Sequence, residues 1–298
     1  MAAQATNKVL LARWAGEPAP LLPLLHDLHD RDGYLSDDAL RFVSDGLRIP
    51  LADLYGTVTF YHHFARTSGG RDASRVCVGP VCRQRGADAM ATALEVEGHR
   101  VDRIPCPGRC DEPIPVIRGD LVLTGSSASE LTNGPTPHPA PAPDGVEECV
   151  FRHIREPARA TLAGYRASGG YEALEAALTR TPEALLQTLD ASGLAGRGGA
   201  GFPTGRKWRA VAEAPGDPKT VVCNADEGEP GCFKDRVLMD HDPWALIEGM
   251  TLAAWATGAP LGFIYLRYEY PDTVAILEEA IETARKAGLL GRDILGHP

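Results

Sequence analysis

The spacing of apolar residues changes several times along the chain, and each change predicts a different element. Residues 21–30 and 37–47 show the helical period of one apolar face, with Ser36 placed to cap the second helix. Residues 49–65 hold Leu54, Tyr55, Val58, Phe60, Tyr61 and Phe64, a mixed helical and loop patch expected in a core or against a neighbouring domain. A helix over 86–97 and strands over 100–104, 114–117 and 121–123 follow. Further on, helical segments are predicted over 161–167 and 170–178. The helix over 181–190 has Thr181 as N-cap and Pro182 at its first position. A helix to about residue 213, a strand over 220–223, a helix over 243–257, a strand over 262–267 and a helix over 272–287 complete two α/β units. The longest uncharged stretch, 249–266, is broken by Gly258-Ala259-Pro260, so it reads as a buried helix and strand rather than a membrane span.

Between these regions lies a passage that opens Gly125-Ser-Ser-Ala-Ser129 and ends with proline at every second position from Pro135 to Pro143. Such a run excludes helix and sheet and favours an extended polyproline II spacer. His138 lies in it with no expected role. The expected organisation is α/β: a first domain over 1–125, a linker over 126–145 and a second domain over 146–298.

Composition adds limits. With 298 residues, 44% of them hydrophobic, the chain can bury two or three cores. A net charge of −10 argues against nucleic acid and anionic membranes and fits docking on other proteins. The start of the chain has too short an apolar run for a secretory signal, and seven cysteines without one point to a reducing, cytoplasmic compartment and to metal ligation.

Four of those cysteines form two pairs. Four residues separate Cys77 from Cys82, and three separate Cys106 from Cys110, with a helix and a strand between the pairs. A small thioredoxin-like unit would put both pairs on adjacent loops at one end of its sheet. Two loops can then give each iron of a [2Fe–2S] cluster two thiolates, while Gly79, Pro80, Pro107 and Gly108 keep the loops tight. A four-cysteine zinc site remains the alternative. Cys149, Cys223 and Cys232 have no partner spacing and read as structural; His62 and His63 read as packing or surface residues. Gly33-Tyr-Leu35, Thr59-Phe-Tyr61 and the cysteine pairs resemble the 24-kDa-type [2Fe–2S] subunit of respiratory complex I, over residues 20–125. That resemblance implies a thioredoxin-like ferredoxin fold with Cys77, Cys82, Cys106 and Cys110 as ligands. The 23 residues between Cys82 and Cys106 are fewer than is usual there, so one hairpin is expected to be missing.

The second region turns on residues 196–208. Glycines at 196, 198, 199, 201 and 205 allow positive φ and close approach to a ligand. Their amides can converge on an anion, flanked by Arg197, Arg206 and Lys207, while Phe202 and Trp208 add flat apolar faces. The implied ligand is phosphorylated and aromatic, a nucleotide or a flavin. Residues 196–201 fit G-x-G-x-x-G, but a helix rather than a strand precedes them, which argues against a Rossmann turn. At the carboxyl end of the strand over 220–223 stands Asn224-Ala-Asp-Glu-Gly-Glu-Pro-Gly231, the edge where open α/β sheets bind ligands. Asn224, Asp226, Glu227 and Glu229 could accept from ring N–H, ribose or carboxamide groups; the plain alternative is a solvated acidic turn.

These words, with Phe233-Lys-Asp-Arg236, Leu246-Ile-Glu-Gly-Met250 and Glu269-Tyr-Pro271, resemble the flavin- and NADH-binding 51-kDa-type subunit of complex I. The same words occur in its relatives in NAD-linked formate dehydrogenases and NAD-reducing hydrogenases. The resemblance implies FMN on Gly196, Gly198, Lys207, Asn224 and Asp226, with Gly199, Gly201 and Glu227 in the same pocket. It places Glu229 beside flavin and nicotinamide, the candidate for orienting the reacting rings, and Phe202 against the NAD ring system. Arg209-Ala210 stands where complex I members often carry a second aromatic. Lys207-Trp-Arg209, Glu269-Tyr-Pro271, Asp293-Ile-Leu-Gly296 and the fusion of both modules lean toward the formate dehydrogenase β-subunit. The expected function is a diaphorase passing electrons between NAD(H), FMN and iron–sulfur clusters. Expected partners are a molybdenum formate dehydrogenase catalytic subunit, or hydrogenase or complex I subunits. A [4Fe–4S] cluster is expected only if the chain continues beyond Pro298, and the flavin pocket as written is expected to be incomplete. The competing expectation is a non-catalytic, zinc- or cluster-stabilised assembly module.

Overall fold

The computed structural model describes residues 6–297 except residue 18, and the chain divides between Gly134 and Pro135 into two units. In the first, helices α1 (Asn7–Trp14), α2 (Leu21–Asp32), α3 (Asp37–Leu47) and α4 (Leu51–Phe60) enclose Leu24, Leu25, Leu28, Leu40, Val43 and Leu54. Ser36 caps α3 by accepting from the Ala39 N–H at 3.1 Å. α2 stops where Gly33 takes a left-handed φ of 75°. The aromatic patch over 49–65 resolves into α4 and a loop in which Phe64 packs on that core.

The helices lead into a four-stranded sheet of order β2-β1-β3-β4, built from β1 (Ser74–Cys77), β2 (Val101–Ile104), β3 (Ile114–Arg118) and β4 (Leu121–Gly125). β1 and β2 are parallel, and the other pairs are antiparallel. Short α5 (Pro80–Gln84) and longer α6 (Ala87–Val96) make the crossover, α6 burying Met90, Ala91 and Leu94. A parallel pair needs such a crossover, and it brings the ends of β1 and β2 together.

The second unit contains α7 (Leu162–Ala167), α8 (Glu172–Leu178), α9 (Pro182–Ser192), α10 (Thr204–Glu213), β5 (Thr220–Ala225), α11 (Lys234–His241), α12 (Pro243–Thr257), β6 (Leu261–Leu266) and α13 (Pro271–Lys286). α12, apolar on most of its circumference, touches α8, α9, α10, α13 and both strands, as a central helix must. Its buried Glu248 accepts from Tyr165 Oη at 2.6 Å and from the Tyr171 and Leu174 N–H groups at 2.8 and 3.1 Å, tying α7 and α8 to it. β5 and β6 pair in parallel from Thr220↔Leu261 to Ala225↔Leu266.

Residues 126–145, expected as an extended spacer, make specific contacts. Thr132 pairs with Thr124, and Asn133 donates to the Val122 carbonyl, so the first unit continues past residue 125. Beyond it, Thr136 donates to Asp240 at 2.6 Å and accepts from the fully buried Arg236 at 3.0 Å. His138, expected to be without a role, stacks on His241 with centroids 4.0 Å apart. A proline-rich run leaves its polar side chains free to find buried partners, and no sequence period announces them.

Candidate functional site

β1 ends on Cys77, Gly79 starts α5, and Cys82 lies within that helix; Cys106 and Cys110 follow the end of β2. All four thiols are buried and none is in a disulfide. Cys106 and Cys110 Sγ are 3.3 Å apart, and the Gly79 and Gly108 N–H groups point at Cys77 and Cys106 Sγ at 3.4 Å. A Cβ on Gly79 would stand 3.2 Å from Cys106 Cβ and 3.5 Å from Cys77 Sγ, so glycine lets the two loops close. The crowding divides the thiols. A bond from Cys106 favours the Cys77 thiolate, but the Cys82 thiol and burial outweigh it and push Cys77 up to about 12, while the bond from Cys77 lowers Cys82. Four thiolates together need a cation to compensate them. Arg109 and Glu112, which the sequence did not single out, form a buried ion pair at 3.2 Å beside Cys110.

In the second unit, residues 196–202 form a lasso at the tip of the α9–α10 hairpin. Its neck is an antiparallel bridge between Ala195 and Pro203, with the Gly196 N–H on the Phe202 carbonyl and the Thr204 N–H on the Leu194 carbonyl, both at 2.8 Å. Gly199 and Gly201 take φ of 108° and 60°, which side chains disfavour. Gly198 needs neither positive φ nor space, since a Cβ there would meet nothing within 4 Å. Nothing within the chain therefore requires glycine at 198. The expected helix after Trp208 begins earlier, at Thr204, so Arg206 and Lys207 sit on the exposed first turn of α10. Arg206 lies 5.6 Å from the centroid of half-exposed Phe202.

At the carboxyl end of β5, Asn224 Oδ1 accepts from the Asp226 N–H at 3.1 Å, which shapes the turn. Asn224, Asp226 and Glu229 are exposed. Glu227, expected to face a cofactor, is instead buried. Its carboxylate accepts from the N–H groups of Asp235 and Arg236 at 3.1 and 3.3 Å and pairs with Lys234 at 3.4 Å. It serves the positive end of α11, a helix the sequence pattern did not reveal. Arg267, at the end of β6, was also missed: it donates to the Glu227 carbonyl and grips Glu269 with two nitrogens at 2.6 and 3.0 Å. The signal was an arginine ending a strand two residues before a glutamate.

Two family descriptions match the chain in order: "Thioredoxin-like [2Fe-2S] ferredoxin" over residues 7–124 and "Nuo51 FMN-binding domain" over 189–295. The chain carries a thioredoxin-like ferredoxin domain and a Nuo51 FMN-binding domain. The ferredoxin-domain match includes all four cysteines, and the FMN-domain match includes the lasso and the acidic turn. The NAD-reducing hydrogenase HoxS subunit alpha of Cupriavidus necator is 32% identical over 96% of this chain and 52% of its own length. An NADH-quinone oxidoreductase subunit of Aquifex aeolicus is 48% identical over 49% of this chain and 34% of its own length. A crystal structure of an NAD+-reducing [NiFe]-hydrogenase aligns with TM-score 0.67 and 28% identity over 91% of this chain and 50% of the other. The chain thus spans about half, or less, of the length of the relatives it matches.

The ferredoxin domain fits a [2Fe–2S] group by chemistry: four buried sulfurs from two loops with amide donors aimed at them. In the FMN-binding domain the glycine segment is open and flanked by exposed cations, the chemistry an anionic group requires. Among the described residues, no helix is long and apolar enough to cross a membrane.

Proposed function

We propose that this protein is a diaphorase subunit, exchanging electrons between NAD(H) and a partner subunit. The observation that carries the reading is the order of its modules, shared over 96% of the chain with a protein named as an NAD-reducing hydrogenase subunit. Bound FMN would supply the exchange between hydride and single electrons, and a [2Fe–2S] group would take them one at a time. The chain's own part is to hold and orient. Gly196, Gly198, Gly199 and Gly201 let lasso amides approach phosphate, with Arg197, Arg206 and Lys207 balancing its charge. Asn224 and Asp226 offer acceptors and an amide to a ring edge. Glu229, exposed beside the pinned Glu227, orients the nicotinamide, and Phe202 offers it a face. Cys77, Cys82, Cys106 and Cys110 hold the iron.

The partner we favour is a molybdenum formate dehydrogenase catalytic subunit in the cytoplasm, on the strength of Lys207-Trp-Arg209, Glu269-Tyr-Pro271 and Asp293-Ile-Leu-Gly296. Two measurements test the proposal. Protein purified without oxygen and supplied with FMN should show flavin and cluster absorption that bleaches on adding NADH; a colourless, zinc-containing protein would overturn it. The complex isolated from its native cells should then reduce NAD+ with formate. Reduction with hydrogen alone would replace the favoured partner and leave the diaphorase standing.

A further inference from the structure

The lasso is tied at its neck by the Ala195–Pro203 bridge, and its Phe202 ring lies under Arg206 of α10, so its contacts run to the helices that carry it. Whatever fixes its mouth must therefore act through the two helices that carry it. α9 and α10 touch backbone to backbone at Gly205. That residue is buried, and a Cβ on it would lie 2.1 Å from Asp190 Oδ1 and 2.9 Å from the Asp190 nitrogen. One turn further along α10, Arg209 reaches back across the same crossing. Its Nη2 meets Asp190 Oδ2 at 3.0 Å and its Nη1 meets Glu183 Oε2 at 2.7 Å. Glu183 and Asp190 are two turns apart on α9, so a single guanidinium grips one face of that helix at two heights. A lysine, with one charge point, could not span both. Gln187, between them, donates to Glu183 Oε1 at 3.0 Å and holds that carboxylate in place.

We propose that Arg209, with Gly205 and Asp190, is a positioning latch that sets the mouth of the lasso and thereby its grip on a flavin phosphate. The flavin part of this inference rests on the function proposed above. The latch itself concerns the angle between α9 and α10. Glycine-rich backbone has more freedom to lose than any other, so a neck held at one angle removes part of the ordering cost before a ligand arrives. Exposed ion pairs are each weak, but two on one guanidinium, set against a crossing that admits no Cβ, act on one coordinate.

The test uses the full chain. Arg209→Met and Arg209→Lys are compared with the parent by amide hydrogen exchange across 194–204 without FMN, and by FMN titration. Exchange in the lasso of Arg209→Met should quicken by about fivefold and FMN should bind about fivefold more weakly, with Arg209→Lys between. The denaturation midpoint and the cluster spectrum should not change. Gly205→Ala, which forces the helices apart, should move both readouts the same way. If Arg209→Met exchanges and binds FMN as the parent does, the latch is wrong. Exchange that quickens evenly through the whole unit with a falling midpoint would also overturn it, as that marks a merely structural residue. Should the parent bind no FMN while lasso exchange still quickens in Arg209→Met, the latch stands and the flavin reading fails.

Discussion

The four cysteines of the ferredoxin domain are 0–8% exposed, whereas Phe202 in the FMN-binding domain is 50% exposed and Arg197, Arg206 and Lys207 lie in water. The first site is walled by its own chain: sheet ends, two glycines and a buried ion pair. The second is a rim, whose glycines, cations and most acidic side chains are exposed. The contrast follows from how each group is held. A cluster bound by thiolates is part of the fold and can be sealed in. A flavin and a diffusing nicotinamide need an entrance, so the residues that touch them must stay reachable while others fix their positions. Glu227 is buried among exposed Asn224, Asp226 and Glu229, and Arg267 donates to its carbonyl while pairing with Glu269.

The sharpest way to break this comparison is to open the sealed site. Cys77→Ser or Cys106→Ser should abolish the cluster's absorption and its reduced-state electron paramagnetic resonance signal and loosen the ferredoxin domain, since the group and the pocket stabilise each other. Circular dichroism would show the lost structure. A mutant that kept a full cluster signal would mean that the buried cysteines are not its ligands.

Next in size is a support of the open site. Glu227→Ala leaves the first amides of α11 without their acceptor and removes a charge that pairs with Lys234. Charged hydrogen bonds of this kind carry about 1.5–3 kcal/mol each, so about 3 kcal/mol of stability should go, read as a lower urea midpoint for the second unit. By comparison, Glu229→Ala should leave the midpoint unchanged, because that side chain is exposed. If the two mutants behaved alike, the division between a buried support and an exposed neighbour would fail.

The same burial makes the first unit sensitive to acid. The rings of His26 and His29 on α2 lie 4.9 and 5.1 Å from that of His63 in the loop after α4, tilted against it. His29 accepts from the Ala65 N–H at 3.0 Å. Burial, reinforced by Arg71, lowers His29 to about 4, and burial with His26 and Arg75 lowers His63 to about 3. The folded chain keeps them neutral while the unfolded chain takes up protons below about 6.5, so the unfolded state binds more protons. Stability is therefore complete above pH 6.5 and falls as the pH drops toward 4. His29 alone should cost about 2 kcal/mol between pH 7 and pH 5. Urea titrations at the two pH values, with His29→Gln as the less acid-sensitive control, measure it. The opposite sign would mean that these histidines gain a partner on protonation.

How much of this could be read in the sequence follows from the type of interaction. Ser36, Thr181 and Pro182 marked helix starts because capping is local, and the cysteine spacing marked the two cysteine loops because each pair is close in sequence. The lasso was legible for the same reason. α11 was not, because its first turn takes its cap from Glu227, seven residues earlier. Thr136 bonding to Asp240 lies 104 residues across the sequence, and no period encodes it. Glu227 was grouped with its acidic neighbours as a candidate; only the fold shows that it is buried while Asp226 and Glu229 are exposed.

Gly198→Ala is expected to have the smallest effect on the fold and the most specific effect on the open site. A methyl group there meets nothing within 4 Å and asks for no unusual φ, so stability should stay within about 0.5 kcal/mol or rise slightly as the unfolded chain loses freedom. Nothing within the chain requires glycine at 198. If the lasso closes on a phosphate, the methyl would hold the ligand off the backbone, and FMN should bind about tenfold more weakly with the denaturation curve unmoved. Gly201→Ala, where φ is 60°, should instead lose stability and affinity together. Equal FMN affinity in Gly198→Ala and the parent would mean that the backbone at 198 is not what a ligand touches, and the open rim would have to hold its phosphate through the cations of α10 alone.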